Sequence, residues 1–151
     1  MGNYETLNNL LVNMFNEIMT IEEKALINDE FSNISTTDMH IIHAIGIGTS
    51  RNMSSVARDL EITVGTLTIA INNLVKKGYV NRNRSTKDRR VVLISLSELG
   101  KRVYEYHDKF HKNIIDDIIS LLGDDEIDIF IKGISGINNY FNKIKEENQK
   151  K

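Results

Sequence analysis

The stretch from Ser54 to Ser95 places the tightest constraint on how this 151-residue chain can fold. Its first part predicts a short amphipathic helix that ends in a polar turn at Glu61. A second helix is expected from about Thr63, whose hydroxyl can accept a hydrogen bond from an amide of the first turn. The apolar residues of the two helices recur at three- and four-residue steps, at Val56, Ala57 and Leu60, and at Leu67, Ile71, Leu74 and Val75.

The end of the second helix carries the signals for a hairpin. Lys76-Lys77-Gly78 closes the helix, because cations suit the negative end of the helix dipole and glycine tolerates a positive φ. Two β-rich runs, 79–84 and 91–96, follow, joined by a polar loop at 85–90. Two helices, a tight turn and a basic-tipped hairpin predict a winged helix-turn-helix. Such a unit lays its second helix in the major groove of DNA.

These residues also resemble the MarR-type transcriptional regulators. The family's hairpin loop reads D-x-R before a strand and then Leu-Ser/Thr-x-x-Gly, matched here by Asp88-Arg89-Arg90 and by Leu96 to Gly100. The run from Asn72 to Arg82 is similar to the end of the family's recognition helix and its first wing strand. The resemblance covers nearly the whole chain. Four short segments look closest to the fatty-acid-synthesis repressors: Ile21 to Glu23, Met39-His40, Gly65 to Thr68 and Asp88 to Val92.

The fold expected from these patterns is mainly α with a small β-wing. It is a winged helix-turn-helix flanked by long dimerisation helices, with about six helices and a two- to three-stranded wing sheet. We expect one protomer over 1–151, its DNA-binding part at 36–97 and dimerisation helices within 1–35 and 98–151. Residues 51–53 are expected to add a short third strand beside the wing, as in the family.

Four further helices complete the predicted fold. They run from Tyr4 to about Ile27, from a cap at Ser35 or Thr36 to about Ile47, from Gly100 to about Leu122, and onward from a cap at Asp124, with a loop from Asp29 to Ser35. The first and last helices carry wide apolar stripes. This surface exceeds what a small wing domain covers, so we expect a homodimer; an intramolecular bundle is the alternative. The stripes comprise Leu7, Leu10, Leu11, Met14, Phe15, Ile18 and Ile21, and Ile127, Phe130, Ile131, Ile134, Ile137, Phe141 and Ile144.

Charge is distributed unevenly along the chain, whose net charge is −2. Residues 51–102 hold 11 Lys or Arg against 4 Asp or Glu, a net +7, and the rest of the chain is −9. Positive charge is therefore concentrated where the predicted motif would meet phosphate. A solvated charged face is the alternative explanation.

Several classes of protein are disfavoured by what the sequence lacks. It has neither a long apolar run nor a signal-peptide pattern, so we expect a cytoplasmic protein with no membrane partner. Without cysteine there is no disulfide and no thiol catalysis. Hydrolase-elbow, zinc-protease, P-loop and dinucleotide motifs are absent, so no enzymatic activity is expected. A protein-interaction module that binds no DNA is the alternative from another functional class.

Residues near the start of the helix that begins at about Thr63 are expected to contact base edges. They are short and apolar or hydroxylic, with no arginine to pair with guanine. Methyl contacts to thymine therefore favour an A·T-rich pseudo-palindrome in double-stranded DNA. Ser55, Asn73 and Lys77 are expected on phosphates, which position the protein without specifying sequence. The predicted contact residues outside the wing are Ser54, Ser55, Thr63, Val64, Gly65, Thr66, Thr68, Ile69, Asn73 and Lys77.

In the wing, the resemblance implies that Arg90 enters the minor groove and that Asp88 holds its guanidinium. A narrow A-tract groove attracts such an arginine. Phosphate contacts are expected from Arg84, Lys87 and Arg89. The alternative is a surface Asp88–Arg90 ion pair that only stiffens the hairpin.

The resemblance also implies a small-molecule pocket between the wing domain and the dimer helices. We expect no cofactor to be required for DNA binding. The likeness to the lipid repressors implies a corepressor, a long acyl chain on acyl carrier protein or coenzyme A. The expected apolar lining is Phe15, Ile18, Met19, Ile42, Phe110 and Ile114.

The histidines suggest a rival effector, zinc. His107 and His111 are spaced i, i+4 on one predicted helix, a spacing that metal sites use. His40 and either Glu22 or Glu23 could complete a tetrahedral set. Zinc-sensing members of the family use a histidine at the equivalent of His40 and a histidine pair on this same helix. Partly buried, hydrogen-bonded histidines without a metal are the alternative.

Overall fold

A computed structural model describes residues 2–26 and 30–149 of the chain. Within these residues there are six helices and three strands, which confirms the mainly α fold class with a small β-wing. The predicted helix end at Ile27 and loop start at Asp29 lie outside the described residues. The helices are α1 (Asn3–Leu26), α2 (Thr36–Ile45), α3 (Met53–Asp59), α4 (Val64–Lys76), α5 (Glu98–Leu121) and α6 (Asp124–Gln149); the strands are β1 (Arg51–Asn52), β2 (Val80–Arg84) and β3 (Val92–Leu96).

The chain divides into two compact units, one up to Asp108 and one from Lys109 onward. The first unit contains α1 to α4, the sheet and the beginning of α5. It also holds the hydrophobic core, to which every one of these elements except β1 contributes. The core residues are Leu26, Phe31, Ile34, Met39, Ile41, Ile42, Ile45, Val56, Ala57, Leu67, Ile71, Leu74, Tyr79, Val80, Ile94, Leu96 and Val103.

Helix α2 begins with a reciprocal cap at Ser35. The Ser35 hydroxyl accepts from the Asp38 amide, and the Asp38 carboxylate accepts from the Ser35 amide, both at 3.1 Å. This arrangement satisfies two donors that a helix start otherwise leaves unpaired. Of the two predicted caps, Ser35 is therefore the one used. The helix ends at Ile45 rather than Ile47, because Gly46 takes a φ of 79°.

The helix-turn-helix follows the prediction with two corrections. Thr63 caps α4 by accepting from the Thr66 amide at 3.1 Å, and Glu61 turns the chain between α3 and α4 with a φ of 56°. Met53 is wrongly placed in the predicted third strand: Asn52 accepts from the Ser55 amide at 2.8 Å and starts α3 there. Val75 is 37% exposed rather than part of the buried stripe, which Leu67, Ile71 and Leu74 form.

The wing is an antiparallel hairpin of β2 and β3, and β1 pairs with the other edge of β3. Val80 pairs with Leu96 and Arg84 with Val92, while Arg51 of β1 pairs with Ile94. Beyond Arg84, the Ser85 amide donates to the Val91 carbonyl at 2.9 Å and closes the base of the loop. The loop at 85–90 thus projects basic side chains from the end of the sheet.

Helix α5 begins at Glu98, two residues before the predicted start at Gly100. The cause is Ser97, whose hydroxyl accepts from the Gly100 amide at 3.1 Å and donates to the Gly78 carbonyl at 2.6 Å. Gly100 therefore lies in the first turn of α5. A Cβ atom at this position would collide with the carbonyl oxygen of Tyr79.

Most apolar side chains of α1 and α6 are exposed in the single chain. Glu22 and Leu26 are the residues of α1 that are buried, and α6, as described, has none. On α6, Ile131 is 56% exposed and Phe141 53%. The single chain therefore does not cover the predicted stripes. Among the described residues, no helix combines the length and hydropathy that crossing a lipid bilayer requires.

Candidate DNA-binding surface and effector site

Helix α4 separates a core face from an exposed face, as predicted. Leu67, Ile71 and Leu74 are completely buried and fix its orientation. The opposite face presents Val64, 44% exposed, and Ile69, 68% exposed. Gly65, Thr66 and Asn73 are exposed as well, and Thr68 is half-buried. The helix thus offers an apolar surface near its N-terminus, the end that contacts base edges in helix-turn-helix proteins.

The threonine hydroxyls of this surface already have partners within the chain. The Thr68 hydroxyl donates to the Val64 carbonyl at 2.7 Å. The Thr63 and Thr66 hydroxyls share a hydrogen bond of 2.9 Å. The donor of Thr68 is therefore occupied, and its methyl group is the branch of the side chain left for another contact.

A cleft of about 530 Å³ lies between the start of α4 and the wing. Four predicted DNA contacts from three separate parts of the sequence line it together: Ser54, Val64, Thr68 and Arg90. Asn52, which the sequence reasoning missed, also lines it. An asparagine directly before a helix is a recognisable cap signal that could have identified it. The remaining lining residues are Met53, Val91 and Val92.

The wing loop holds Arg90 through Asp88. The Asp88 carboxylate accepts from the Arg90 amide at 3.0 Å and lies 3.4 Å from its Nε atom. The Arg90 side chain is nevertheless 94% exposed. An exposed ion pair of this kind adds little stability, and its role in placing the guanidinium on DNA remains a prediction. Arg84 and Arg89 line a separate cavity at the tip with Ser85 and Thr86, and Lys87 is exposed beside them.

Two of the predicted phosphate contacts have partners within the chain. The Ser55 hydroxyl donates to the Asn52 carbonyl at 3.0 Å. The Lys77 ammonium lies 3.5 Å from the Asp38 carboxylate, which is capping α2. Their contacts with phosphate remain predictions, as does that of Asn73.

The six predicted effector-lining residues lie in different environments. Phe15, Ile18 and Met19 are exposed on α1, at 65%, 46% and 45%. Ile42 is completely buried in the core of the first unit, where Met39 and Ile45 are buried too. Phe110 and Ile114 belong to the second unit and are half-buried. A pocket formed by these residues remains a prediction.

Three of the predicted metal ligands meet in the first unit. Glu22 Oε1 lies 3.0 Å from His40 Nε2 and 2.9 Å from His107 Nε2. Glu22 and His107 are buried, and the His43 ring packs 5.1 Å from the His107 ring. Of the two glutamates considered, Glu22 is the buried one, and Glu23 is exposed. His111 belongs to the second unit, and its part in a metal site remains a prediction.

The two histidines change the acidity of the carboxyl between them. Burial raises the pKa of Glu22, but hydrogen bonds with His107 and His40, together with electrostatic attraction to the two rings, outweigh it and hold the pKa below its usual value. Glu22 is therefore an anion at neutral pH, and it connects α1 to α2 and α5.

A family model described as the transcriptional regulator SarA/Rot matches residues 23–106, more than half of the chain. This match contains α2 to α4, the whole sheet and the start of α5. The chain belongs to the SarA/Rot family of transcriptional regulators. The predicted resemblance to the MarR-type winged helix-turn-helix regulators is confirmed with it.

Two curated relatives show how far the sequence likeness extends. The HTH-type transcriptional regulator SarZ of Staphylococcus saprophyticus is 29% identical over 115 residues, which are 76% of this chain and 75% of SarZ. The HTH-type transcriptional regulator PchR of Bacillus subtilis is 28% identical over 76 residues. That alignment spans 50% of this chain and 45% of PchR, less than half of the relative's length.

A solved structure, that of FabT from Streptococcus pneumoniae in complex with DNA, is similar over nearly the full chain. Sequence identity is 35% and the TM-score is 0.88, with 94% of this chain and 99% of that one covered. This protein is thus a DNA-binding transcriptional regulator, as predicted. Its relatives are regulators rather than enzymes, in agreement with the expectation from its motifs.

Proposed function

We propose that this protein is a homodimeric repressor of fatty-acid-synthesis genes, with an acyl chain as corepressor. The observation that carries the proposal is the likeness to FabT, at 35% identity over 94% of the chain. The short segments that resemble the fatty-acid-synthesis repressors, such as Gly65 to Thr68 and Asp88 to Val92, support it. A repressor of this type acts in the cytoplasm, where the chromosomal DNA of a bacterium lies.

The apolar faces of α1 and α6 support the homodimer. Leu10 and Phe15 on α1 are 64% and 65% exposed, and Ile131 and Phe141 on α6 are 56% and 53% exposed. An exposed apolar stripe along a helix marks an interaction site. A second copy carries the same faces, so a two-fold axis would bury both sets at once. The dimer would present its two α4 helices to successive major grooves, about 34 Å apart.

The exposed part of α4 and the wing support an A·T-rich pseudo-palindromic operator. Val64 and Ile69 provide apolar contacts for thymine methyl groups in the major groove. Arg90, oriented by Asp88, provides a guanidinium for a narrow minor groove. The cleft between α4 and Arg90 would accommodate the sugar-phosphate strand that separates the two grooves.

An effector can regulate binding only through a difference between conformations. An acyl chain acts as a corepressor if it prefers the spacing of the two α4 helices that fits DNA, since equal affinity for both spacings shifts nothing. Met19, an exposed residue of α1 outside the stripe assigned to the dimer, offers a surface for such a chain. Acyl carrier protein would deliver the chain and remain outside.

The test is fluorescence anisotropy with a duplex taken from upstream of a fatty-acid-synthesis operon. Long-chain acyl carrier protein is added, with the carrier lacking an acyl chain as the matched control. We expect the acylated carrier to tighten DNA binding and the bare carrier to have no effect. Unchanged affinity with both carriers would reject the acyl corepressor. If the protein does not bind this duplex under any of these conditions, the operator assignment is rejected.

A zinc-responsive regulator is the second candidate, and the arrangement of Glu22, His40 and His107 favours it. Two imidazole nitrogens, His40 Nε2 and His107 Nε2, lie 3.0 Å and 2.9 Å from the same carboxylate oxygen, Glu22 Oε1. Oxygen and nitrogen donors of these types suit zinc, so the residues fit the metal. A bound zinc would supply a direct link between α1, α2 and α5.

His40 separates the two candidates, because its side chain is 45% exposed and is not part of the hydrophobic core. If an acyl chain is the effector, His40→Ala leaves the response to acylated carrier unchanged, and micromolar zinc has no effect on either protein. A zinc-dependent gain in DNA affinity that His40→Ala abolishes, together with no acyl response, would establish the zinc candidate instead.

A further inference from the structure

The first turn of α4 contains a glycine that the fold does not require. Gly65 is not among the glycines with positive φ, which are Gly46, Gly48 and Gly78. A Cβ atom at Gly65 would meet Thr63 Oγ1 at 3.9 Å, an ordinary van der Waals contact. Glycine is also among the poorest helix formers. The fold of the chain therefore leaves the space beside Gly65 open to a group that approaches α4 from outside.

The surroundings of Gly65 are apolar and open. Ile69 lies four residues later, on the same side of the helix, and its side chain is 68% exposed. Thr68 borders the same side, and its hydroxyl donates to the Val64 carbonyl at 2.7 Å. Three features thus adjoin: bare backbone at Gly65, an exposed isoleucine and a threonine with its hydroxyl donor engaged. None of these three residues has a side chain that offers a charge or a free hydrogen-bond donor to a base.

We propose that Gly65, Thr68 and Ile69 form a seat for the C5-methyl group of a thymine and thereby determine the operator sequence. Thymine is the base that presents a methyl group in the major groove, so an apolar seat distinguishes it by shape and desolvation. Gly65 provides the space for the methyl group, and Ile69 and the Thr68 methyl enclose it. This inference rests on the proposed A·T-rich operator and specifies the chemical group that is recognised.

The experiment begins with a duplex selected by the full-length protein from a random library. Each thymine of one half-site is then replaced by deoxyuridine, which keeps every hydrogen-bonding group and removes the methyl group. For at least one position we expect affinity to fall about fourfold, the factor for burial of one methyl-sized group. Recovery of no preferred duplex would reject the proposed operator recognition and the seat with it. A preferred duplex that tolerates every deoxyuridine would reject the seat alone.

Variants of α4 assign the effect to these residues. Ile69→Ala should bind the thymine and deoxyuridine duplexes equally well, because the wall against the methyl group is gone. The matched control is Val75→Ala on the same helix, which removes an exposed apolar side chain outside the predicted contact set. It should retain the fourfold preference. Full thymine preference in Ile69→Ala would overturn the assignment.

Gly65→Ala tests the space itself. It should lower affinity for the selected duplex by about tenfold, the scale of a small overpacking error. Its thermal midpoint should be equal to or above that of the parent, because alanine favours a helix. Unimpaired DNA binding by this variant would show that the space is not used and would overturn the proposal. A clearly lowered thermal midpoint would also overturn it, because the glycine would then serve the fold.

Discussion

The helix-turn-helix and the last helix of this protein carry similar amphipathic patterns but bury very different amounts of apolar surface. In α4, Leu67, Ile71 and Leu74 are completely buried. In α6, which extends over 26 residues, no described residue is buried. The α4 stripe meets α3 and the sheet of its own chain, whereas the α6 stripe remains open. Periodicity therefore predicts that a helix has an apolar face, while the identity of the partner depends on tertiary or quaternary structure.

We expect the buried packing of the helix-turn-helix to depend most strongly on Gly100. Ser97 joins the end of α4 to the start of α5, because its amide donates to the Tyr79 carbonyl at 3.0 Å. Gly100→Ala would push a Cβ atom into that same carbonyl oxygen. We expect a loss of about 3 kcal/mol in the free energy of unfolding, measured by urea denaturation.

Gly65→Ala is the matched control for this substitution, since its Cβ meets no close neighbour. It should unfold at the same urea concentration as the parent or a higher one. If the Gly100 and Gly65 variants have equal free energies of unfolding, the close approach of Gly100 to Tyr79 does not contribute to stability as proposed.

A charge introduced on α6 tests whether its exposed apolar stripe forms the dimer interface. Ile131→Asp places a carboxylate in the exposed stripe and should weaken self-association by about 2–3 kcal/mol, because an interface penalises an unpaired charge. Sedimentation equilibrium measures this change. The control, Lys132→Asp, introduces the same carboxylate one residue away and should leave the dimer intact. If both variants associate as the parent does, α6 is not the interface.

Glu22 connects α1 to α2 and α5 through its contacts with His40 and His107. Glu22→Gln removes the anion that His40 and His107 contact, and it should cost about 2 kcal/mol of unfolding free energy at pH 7. Because the folded pKa of Glu22 is below 4.5, its stabilisation is present above that pH and disappears as pH falls through the folded value.

The difference in unfolding free energy between the parent and Glu22→Gln, measured by urea titration, should accordingly become smaller below pH 4.5. Glu23→Gln, a change at the neighbouring exposed position, should have no measurable effect at either pH. A difference that widened on acidification would contradict the proposed role of the anion.

The smallest effects are expected in the wing, where the residues are exposed and act only on DNA. Arg90→Ala should weaken operator binding by about 1.5 kcal/mol and reduce the preference for A·T flanks. Lys87→Ala should weaken all duplexes about equally and lower the salt slope by about one unit. Identical losses for the two variants, with unchanged flank preference, would contradict a minor-groove role for Arg90.

The winged part could be predicted from sequence because its elements carry local signals. Thr63 caps α4, and Gly78 ends the helix with a φ of 83°. Two of the errors arose where a side chain captured a backbone group. Asn52 starts α3 and thereby removes Met53 from the strand, and Ser97 starts α5 before Gly100.

The environments of the predicted site residues could not be predicted from the sequence. Sequence spacing left Glu22 and Glu23 equivalent, because the rotation of α1 about its axis depends on what α1 packs against. Ile42 was assigned to a pocket, yet it is completely buried in the core. The meeting of Ser54, Val64 and Arg90 in one cleft likewise requires the folded chain.

The central claim is that two copies of this chain cover each other's open helices and bind one pseudo-palindromic duplex together. Native mass spectrometry of the freshly purified protein, alone and with the selected duplex, tests it most directly. We predict a dimer without DNA and two copies of the chain on one duplex, with Ile131→Asp shifting the free protein toward monomer. A monomer that binds the duplex as a single copy would contradict the account.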